Sequence, residues 1–380
     1  MMEALLDTAA PKTSIFSISP TWGFSNLRDN LVIKGGASFR EVNGEFELST
    51  NYNANSSIVL SSIERGQYVP GFVSEAGVGI RIPNIPEKSA IIKWGYFDAE
   101  NGFGFGVDKK GIFCFYRNSS DLHKVYQKDW NINPLLDELK LNDGNIYEIR
   151  FSWYGFGSIA YYIQIFDRDT KTKKKQLVHV QNMYKGLSII DPNQPLSVLL
   201  KNNDEGEQMV AYVSSRQYSI LTSQSSQKWR EYSIPIINYE IKNNKEAIVG
   251  IRKRRILNNN RLNSLNIRLG TIEVLSPEPL YVYVLKRQSR NGEYTYPVGL
   301  NKLNASIEVC YQPTSDNEQC SEQPIMSGFT TVGKNTSIVM PSDVKHLLDS
   351  YSEYILCIQK INNDNKPVNV SILFHWQEQW

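Results

Sequence analysis

Residues 94–117 read WGYFDAENGFGFGVDKKGIFCFYR, and glycine alternates with phenylalanine through the middle of this stretch. Successive side chains of an extended strand point to opposite faces of a sheet, so Gly102, Gly104 and Gly106 share one face. A strand with one face of bare backbone predicts close packing by a neighbour. A phosphate-binding G-x-G-x-x-G loop is rejected, because it requires a strand-to-helix turn and no helical pattern follows Gly106.

The same period of two recurs along the chain and predicts further strands. Apolar side chains alternate in this way around residues 39–48, 91–94, 146–153 and 159–165. Turn sequences rich in Asn, Asp and Gly separate such runs, and these residues accept the positive φ that hairpins need. Helical patterns are limited to 134–139 and a segment that starts at Ser342. We therefore expect an all-β antiparallel protein with few short helices.

The length of 380 residues exceeds one typical domain of roughly 100–200 residues, so we expect two domains and an arm. The sequence LTSQSSQK after Ile220 has no apolar period and predicts a linker. Residues 1–23 show no clear period, which suggests an arm that becomes ordered only against a partner. The expected organisation is an arm at 1–23, a jelly-roll β-sandwich at 24–221, a linker at 222–228 and a second β-rich sandwich domain at 229–380.

The charges nearly balance, with 41 lysines and arginines against 39 acidic residues and a net charge of +2. Such a chain lacks the broad field that draws proteins to nucleic acid or anionic lipid. We expect no secretion signal, no membrane span, no metal site and no cofactor, since no motif of those kinds occurs. Cys310 and Cys320 flank a polar loop and could pair in an oxidising compartment, which the sequence leaves open.

Several short motifs, in this order and spacing, resemble a known family. They are GEFELST at 44–50, SSIERGQYVPGFVSEAGVGIR at 61–81, the stretch at 94–117, DW at 129–130 and IRFSWYGFGSIAYYI at 149–163, followed more loosely by IVGIRKRRIL and the closing SILFHWQEQW. The chain resembles the concanavalin-like and laminin-G-like jelly-roll virion proteins of tailed phages and large DNA viruses. The resemblance implies a virion component that is exposed and oligomeric. It carries over no catalytic residue. Among symmetric oligomers, we prefer a trimer.

Exposed aromatic rings are the first candidates for ligand contact, because the C–H groups of a sugar ring pack against aromatic faces. Trp94, Tyr96, Trp153 and Tyr154 have this chemistry, although a β-sandwich core also needs aromatic residues. Tyr96 and Tyr154 are the two for which we expect a glycan or partner contact.

Charged residues supply the second set of candidates. The run Arg252, Lys253, Arg254 and Arg255 lies in a strand-like stretch and would present either a solvated face or a surface for an acidic partner or packaged nucleic acid. Arg65, Glu75 and Arg81 flank a loop and would form a buried ion pair or contact a ligand.

Three sets of oxygen-bearing side chains are candidates for metal or catalytic roles. Asp98, Glu100 and Asn101 precede a glycine and would either cap the turn or hold Ca²⁺; Asp167 and Asp169 have the same alternatives. Glu45 and Glu47 share a strand face close to a turn, where we expect both carboxylates to be solvated. Without an E-x-D-x-x-E strand they are a weak basis for a glycosidase.

The sequence therefore predicts a non-enzymatic virion structural protein that acts through protein–protein assembly with other virion proteins. Capsid decoration protein, minor capsid protein, fibre and tail component all fit this description. The alternative is an adhesin that attaches to a host glycan. A glycosidase is the third hypothesis.

Overall fold

The structure is a computed structural model, and it divides into two compact units, residues 1–226 and 227–380. The residues that it describes are 11–119, 121–133, 135, 139–153, 157–167, 171–183, 191–221, 229–257, 262–288, 293–297, 300, 305–311, 313, 324–332, 335–338, 347–362 and 366–379. The linker expected at 222–228 lies outside them, as do most of the residues of the two expected helices.

The described residues of the first unit form fifteen strands. These are β1 (Thr13–Ile18), β2 (Asp29–Lys34), β3 (Ser38–Val42), β4 (Glu45–Ser49), β5 (Ser57–Arg65), β6 (Ser74–Arg81), β7 (Ile91–Phe97), β8 (Gly102–Asp108), β9 (Gly111–Asn118), β10 (Asp121–Tyr126), β11 (Asn145–Phe151), β12 (Ser158–Asp167), β13 (Thr172–Asn182), β14 (Pro195–Lys201) and β15 (Val210–Ile220). Three single-turn 3₁₀ segments, at Pro20–Trp22, Gln127–Asp129 and Leu141–Asp143, complete its described helical content.

Two antiparallel sheets form a sandwich in this unit. Sheet I has the order β13-β12-β11-β6-β15-β4-β3, with β1 also paired to β15, and sheet II has the order β10-β9-β8-β7-β14-β5-β2. The apolar side chains that alternate along each strand face inward and form one large core, in which Trp94, Phe105 and Tyr147 pack at ring centroid distances of 4.9–6.3 Å. The hydrophobic effect of burying these rings from both sheets holds the sandwich together.

Strand β8 has the bare face that its glycines predict. A Cβ atom added to Gly104 would lie 2.3 Å from the carbonyl oxygen of Trp94, and one added to Gly106 would lie 2.5 Å from the ring of Phe113. The rings of Phe113 and Phe115 on β9 occupy the space over the glycines, and both are buried. The structural interpretation of the glycine alternation is confirmed.

The expectation of a free arm at residues 1–23 requires correction. Strand β1 pairs with β15 over Thr13–Ile18, so this part of the chain belongs to sheet I. The physical reason is burial: Phe16 and Ile18 enter the core, and Phe16 stacks on Tyr218 at a centroid distance of 5.8 Å. Residues 1–10 lie outside the described set.

The second unit is also a β-structure. Its strands are β16 (Trp229–Ile241), β17 (Lys245–Lys253), β18 (Asn266–Leu275), β19 (Leu280–Gln288), β20 (Ile307–Tyr311), β21 (Met326–Phe329), β22 (Asn335–Ile338), β23 (Ser352–Lys360) and β24 (Val368–Gln379). Sheet III has the order β16-β24-β18-β22, and sheet IV has the order β20-β17-β23-β19-β21. A separate apolar core, with Trp376, Phe374 and Tyr354 among its largest members, lies between them.

The predicted fold class is confirmed, since the pairings between these strands are antiparallel and each unit buries one core between two sheets. The part of the chain that the structure describes contains no helix with the length and apolar character required to cross a bilayer.

Candidate functional site

A cleft of about 290 Å³ lies on the outer face of sheet I. Three neighbouring strands, β6, β11 and β15, supply most of its wall, and β12 supplies the rest. Its lining residues are Glu75, Gly77, Val78, Gly79, Ile146, Glu148, Gln164, Ser214, Ser215 and Gln217. We call this feature the sheet I cleft.

The floor of the cleft follows from the sequence SEAGVGIR of β6. Because side chains alternate, Ala76 and Val78 enter the core while Gly77 and Gly79 lie on the outer face. A Cβ atom at Gly77 would meet nothing closer than Cγ of Glu148, at 3.8 Å. The missing side chain at this position therefore leaves an open depression in the sheet.

A bulge in β15 forms one side of the cleft. The register between β15 and β6 shifts between Val213 and Arg216, so Ser214 and Ser215 fall where the ladder is interrupted. A bulge of this kind leaves residues without a paired partner on the opposing strand and redirects their side chains. Both serines line the cleft beside the amide of Gln217.

A cluster of charges lies at the end of the cleft near Glu75. The carboxylate of Glu75 accepts hydrogen bonds from Nε of Arg150 at 2.8 Å, Nζ of Lys12 at 2.9 Å and Nζ of Lys175 at 3.2 Å. Lys175 also forms an ion pair with Glu148. Its Nζ lies 4.8 Å from the ring centroid of Tyr162, which adds a cation–π contact.

Two opposing effects in this cluster, burial and the nearby cations, set the pKa of Glu75. Burial by itself raises the pKa of the carboxyl group, but Lys175, Lys12 and Arg150 outweigh burial and lower the pKa to about 2. Glu75 is therefore ionised at neutral pH and can only accept hydrogen bonds. A general acid needs the opposite shift, toward a higher pKa.

The cleft offers several kinds of hydrogen-bonding group in a small space. The carboxylates accept, whereas the serine hydroxyls and the amides of Gln164 and Gln217 both donate and accept. Ile146 adds one apolar contact. This combination suits a small ligand with several hydroxyl groups. Among the described residues, no group of three acidic, His or Cys side chains is arranged to hold a metal ion.

The structure corrects the expectation that Tyr96 contacts a glycan or partner at the surface. Tyr96 is buried in the first core, where its ring stacks on Tyr218 at 5.4 Å and its hydroxyl group donates to the carbonyl oxygen of Pro192 at 2.8 Å. Side chains at 92, 94 and 96 point to the same face of β7, and this face is the one that packs into the core. Tyr154, the second aromatic candidate, lies outside the described residues.

The basic run does not form one cationic surface. Lys253 and Arg254 are buried. Arg252 donates from Nε to Glu308 at 2.8 Å and lies 3.6 Å from the ring centroid of Tyr294. Only Arg255 of the four is exposed, because strand β17 ends at Lys253 and the alternation of faces ends with it. The expected surface for an acidic partner is thus corrected to a single exposed arginine.

The three charged residues Arg65, Glu75 and Arg81 all form ion pairs, although not with one another. Arg65 pairs with Asp98 at 2.7 Å, Arg81 pairs with Glu45 at 2.8 Å, and Glu75 belongs to the cluster in the cleft. The backbone N–H groups of Glu100 and Asn101 in the turn donate to Oδ1 of Asp98. This carboxylate therefore caps the turn, as one of the two interpretations stated.

The other acidic and cysteine expectations have separate outcomes. Glu47 is buried and accepts from Nε of Arg40 at 3.0 Å, so the expectation of solvated carboxylates at Glu45 and Glu47 is corrected to paired ones. Asp169 and Cys320 lie outside the described residues, as does the side chain of Asp167. A Cys310–Cys320 disulfide therefore stays a prediction.

The sequence analysis missed the cleft itself. Glu75 was singled out, but its strand neighbours Gly77 and Gly79 were not recognised as a floor. The alternation of small outer and apolar inner residues in SEAGVGIR was the available signal. The contributions of β11 and β15 had no such signal, because these strands lie about 70 and 140 positions further along the chain.

No protein-family model matches the chain, and no curated protein matches it. Among solved structures, it is similar to peanut lectin with a nine-residue peptide, at 10% identity and a TM-score of 0.36, covering 56% of this chain and 98% of the other. It is also similar to the CBM2 module of the evolved Dit of Lactobacillus casei BL23 phage J-1, at 8% identity and a TM-score of 0.37, covering 57% and 99%. A third is an alginate lyase from Chlorella virus, at 12% identity and a TM-score of 0.35, covering 54% and 99%.

Proposed function

We propose that the first unit is a non-enzymatic carbohydrate-binding module and that the protein serves a virion as an attachment component. The observation that carries this proposal is the sheet I cleft, whose lining combines hydroxyl, amide and carboxylate groups over a glycine floor. Sugars present closely spaced hydroxyl groups that both donate and accept, and this lining matches them. The motifs that resemble virion proteins support the placement in a virus particle.

The charges of the cleft favour binding over hydrolysis. A glycosidase needs one carboxyl group protonated near neutral pH and a second one ionised. The three cations around Glu75 hold its pKa near 2, so this carboxyl group cannot donate a proton. Lys175 contacts both Glu75 and Glu148, so each of the two carboxylates of the cleft has a cation paired with it.

The small size of the cleft fits a weak individual site. At about 290 Å³ it is at the lower end of the volumes of small-molecule sites, and it accommodates roughly one sugar ring. Weak sites gain strength when an oligomer presents several of them to one surface, since each later contact is effectively intramolecular. An attachment protein on a virus particle meets this condition.

The test is a substitution that fills the cleft. Gly77 lies in an extended strand with open space above it, so Gly77→Val adds a side chain to the floor without backbone strain. We expect wild-type protein to bind members of a glycan array and Gly77→Val to lose that binding at unchanged thermal stability. Ser38→Val, on the exposed part of β3, is the matched control and retains binding.

Two outcomes would count against the proposal. One is glycan binding by Gly77→Val equal to that of wild type, which would place the site elsewhere. The other is release of shorter saccharides from a bound glycan by wild type and not by Glu75→Gln, which would show hydrolysis.

Assembly through the second unit is the second candidate function, and one observation favours it. The outer face of sheet III carries an apolar patch of Pro235, Ile237, Leu275 and Leu373, with Ile237 73% exposed. Register places these residues side by side, since Leu373 lies opposite Pro235 and Leu275 lies opposite the neighbouring Ser371. Exposed apolar patches mark interaction sites.

We assign a second copy of this chain as the occupant of the patch. Strand β16 is an edge strand of 13 residues, and no described strand pairs with its free side. Two copies related by a two-fold axis would place both patches and both edges together. Light scattering should then give a mass above 43.4 kDa for wild type and a smaller species for Leu373→Lys. Lys366→Glu, outside the patch, is the control and should assemble as wild type does. A monomeric wild type would rule out assembly through this patch.

A further inference from the structure

The outer face of sheet II is unusual because it carries aromatic rings and cations together. The glycine row of β8 is covered by Phe97, Phe113 and Phe115, which form a small apolar cluster separate from the main core. Two lysines lie against these rings: Nζ of Lys124 is 4.5 Å from the ring centroid of Phe113, and Nζ of Lys93 is 5.4 Å from those of Phe97 and Phe115. This face lies on the side of the sandwich opposite the sheet I cleft.

Lys93 is the residue that calls for an explanation. It is only 5% exposed, yet among the described residues nothing accepts a hydrogen bond from its Nζ and no carboxylate pairs with it. Lysine is almost never buried to this extent unless it is paired. The rings provide a cation–π contact, which compensates for part of the lost hydration but does not replace a counter-ion.

The neighbouring charges increase the need for an anion. Burial lowers the pKa of Lys93, and Arg117, Lys124 and Lys201 lower it further, to about 8. Arg117 lies on the same outer face of β9, where its buried Nε has no hydrogen-bond partner among the described residues. The nearby carboxylate of Asp108 is already engaged, since it accepts from Lys124 at 2.7 Å and from the hydroxyl group of Tyr126 at 3.0 Å.

We propose that this face of sheet II is a binding site for an oxyanion group, a carboxylate, sulfate or phosphate of a ligand, held by Lys93 and Arg117. Such a group would accept from the two cationic side chains that have no acceptor, and the rings of Phe97 and Phe115 would exclude water from the ion pair. Charge-assisted hydrogen bonds of this kind are stronger than neutral ones. An anionic sugar and a free inorganic anion share this chemistry.

A purely structural role for Lys93 predicts a different outcome. The side chain fills space among aromatic rings, and methionine would fill the same space without a charge to bury. If the residue served packing alone, Lys93→Met would be at least as stable as wild type and would change no binding property. Conversely, a lysine that binds an anion makes the stability of the protein depend on that anion, because the ligand binds only the folded state.

The experiment measures binding of glucuronate, glucose 6-sulfate and inorganic phosphate to the full chain by titration calorimetry at constant ionic strength, with neutral glucose for comparison. We expect one or more of the anions to bind wild type, and Lys93→Met and Arg117→Gln each to weaken that binding about tenfold or more. The anion that binds most tightly identifies the source of the oxyanion. Lys34→Met, an exposed lysine on β2 at the far edge of the same sheet, is the matched control and binds as wild type does.

Thermal unfolding provides a second readout that does not depend on one variant. The anion should raise the midpoint for wild type and for Gly77→Val, whose substitution lies on the opposite sheet, and should not raise it for Lys93→Met. Anion binding that persists in Gly77→Val separates this site from the sheet I cleft, so either proposal can fail alone. Equal binding of the anions by Lys93→Met and wild type, or no binding of any of them by wild type, would overturn the proposal.

Discussion

Breaking the buried ion pair between Asp29 and Arg216 should strongly destabilise the first unit. Asp29 lies on β2 of sheet II and Arg216 on β15 of sheet I, and both side chains are completely inaccessible to solvent. The pair therefore joins the two sheets through the core. Burial lowers the pKa of Arg216, while Asp29 opposes that shift by stabilising the charged guanidinium.

The perturbation is Asp29→Ala, which leaves a buried guanidinium without a counter-ion. Removing one partner of a buried pair costs about 3–5 kcal/mol, because the remaining charge has lost its hydration and gained nothing in return. The upper part of this range applies here, since Nε and Nη1 of Arg216 have no hydrogen-bond partner of their own among the described residues. We therefore expect a loss of about 4–5 kcal/mol in the free energy of unfolding.

The assay is urea unfolding of the full chain, with hydrogen exchange of peptides from β15 and β24 to separate the two units. The destabilisation should affect β15 and leave β24 unchanged. The double variant Asp29→Leu/Arg216→Met should recover most of the loss, because apolar residues of similar size replace a buried pair at little cost. A loss below about 1 kcal/mol for Asp29→Ala, or a double variant as unstable as the single one, would refute this reasoning.

Three further predictions concern other parts of the first unit. Gly104→Ala places a Cβ atom 2.3 Å from the carbonyl oxygen of Trp94. The resulting overpacking should lower the free energy of unfolding, measured by urea titration, by about 1–3 kcal/mol or more. An unchanged urea midpoint would contradict the packing of β8. The pKa of Glu75 is lowered from 4.5 to about 2, so the ionised carboxylate stabilises the folded protein above pH 4.5, and this stabilisation is lost as the pH falls toward 2. The loss in the free energy of unfolding should be of order 3 kcal/mol in wild type and absent in Glu75→Gln, as measured by unfolding at several pH values. Phe16→Ala should cost about 3–5 kcal/mol and increase hydrogen exchange in β1, whereas unchanged exchange would show that β1 does not depend on this ring.

The local part of the fold was readable from single stretches of sequence. The alternation in 94–117 gave a strand pair with one glycine face, and the Asn-Gly sequence at 43–44 lies at the turn between β3 and β4, where both residues have positive φ. These features depend on neighbours within a few positions, where backbone geometry and turn chemistry decide the conformation. The prediction of two β-sandwich domains followed from them.

The candidate sites were mostly not readable in this way. Tyr96 and Lys93 lie on the same strand, and the sequence distinguished neither the buried tyrosine in the core nor the buried lysine on the outer face. The alternation of side chains places residues 93 and 96 on opposite faces of the strand, but it does not determine which face is covered by the other sheet. That depends on β11 and β15 of sheet I, which lie in other parts of the chain and pack Phe151 and Tyr218 against Tyr96.

The sequence by itself determined the period of each strand, the turns between neighbouring strands and the division into two β-rich parts, because these properties arise from short-range sterics and from the pattern of apolar residues. Tertiary structure alone decided that β1 completes sheet I, that Arg252–Arg255 is not one surface, and that β6, β11 and β15 meet in a cleft. It also decided that Lys93 is buried with no counter-ion among the residues that the structure describes. The physical reason is that burial and charge pairing are set by strands distant in sequence, and their register is fixed only when the whole core packs.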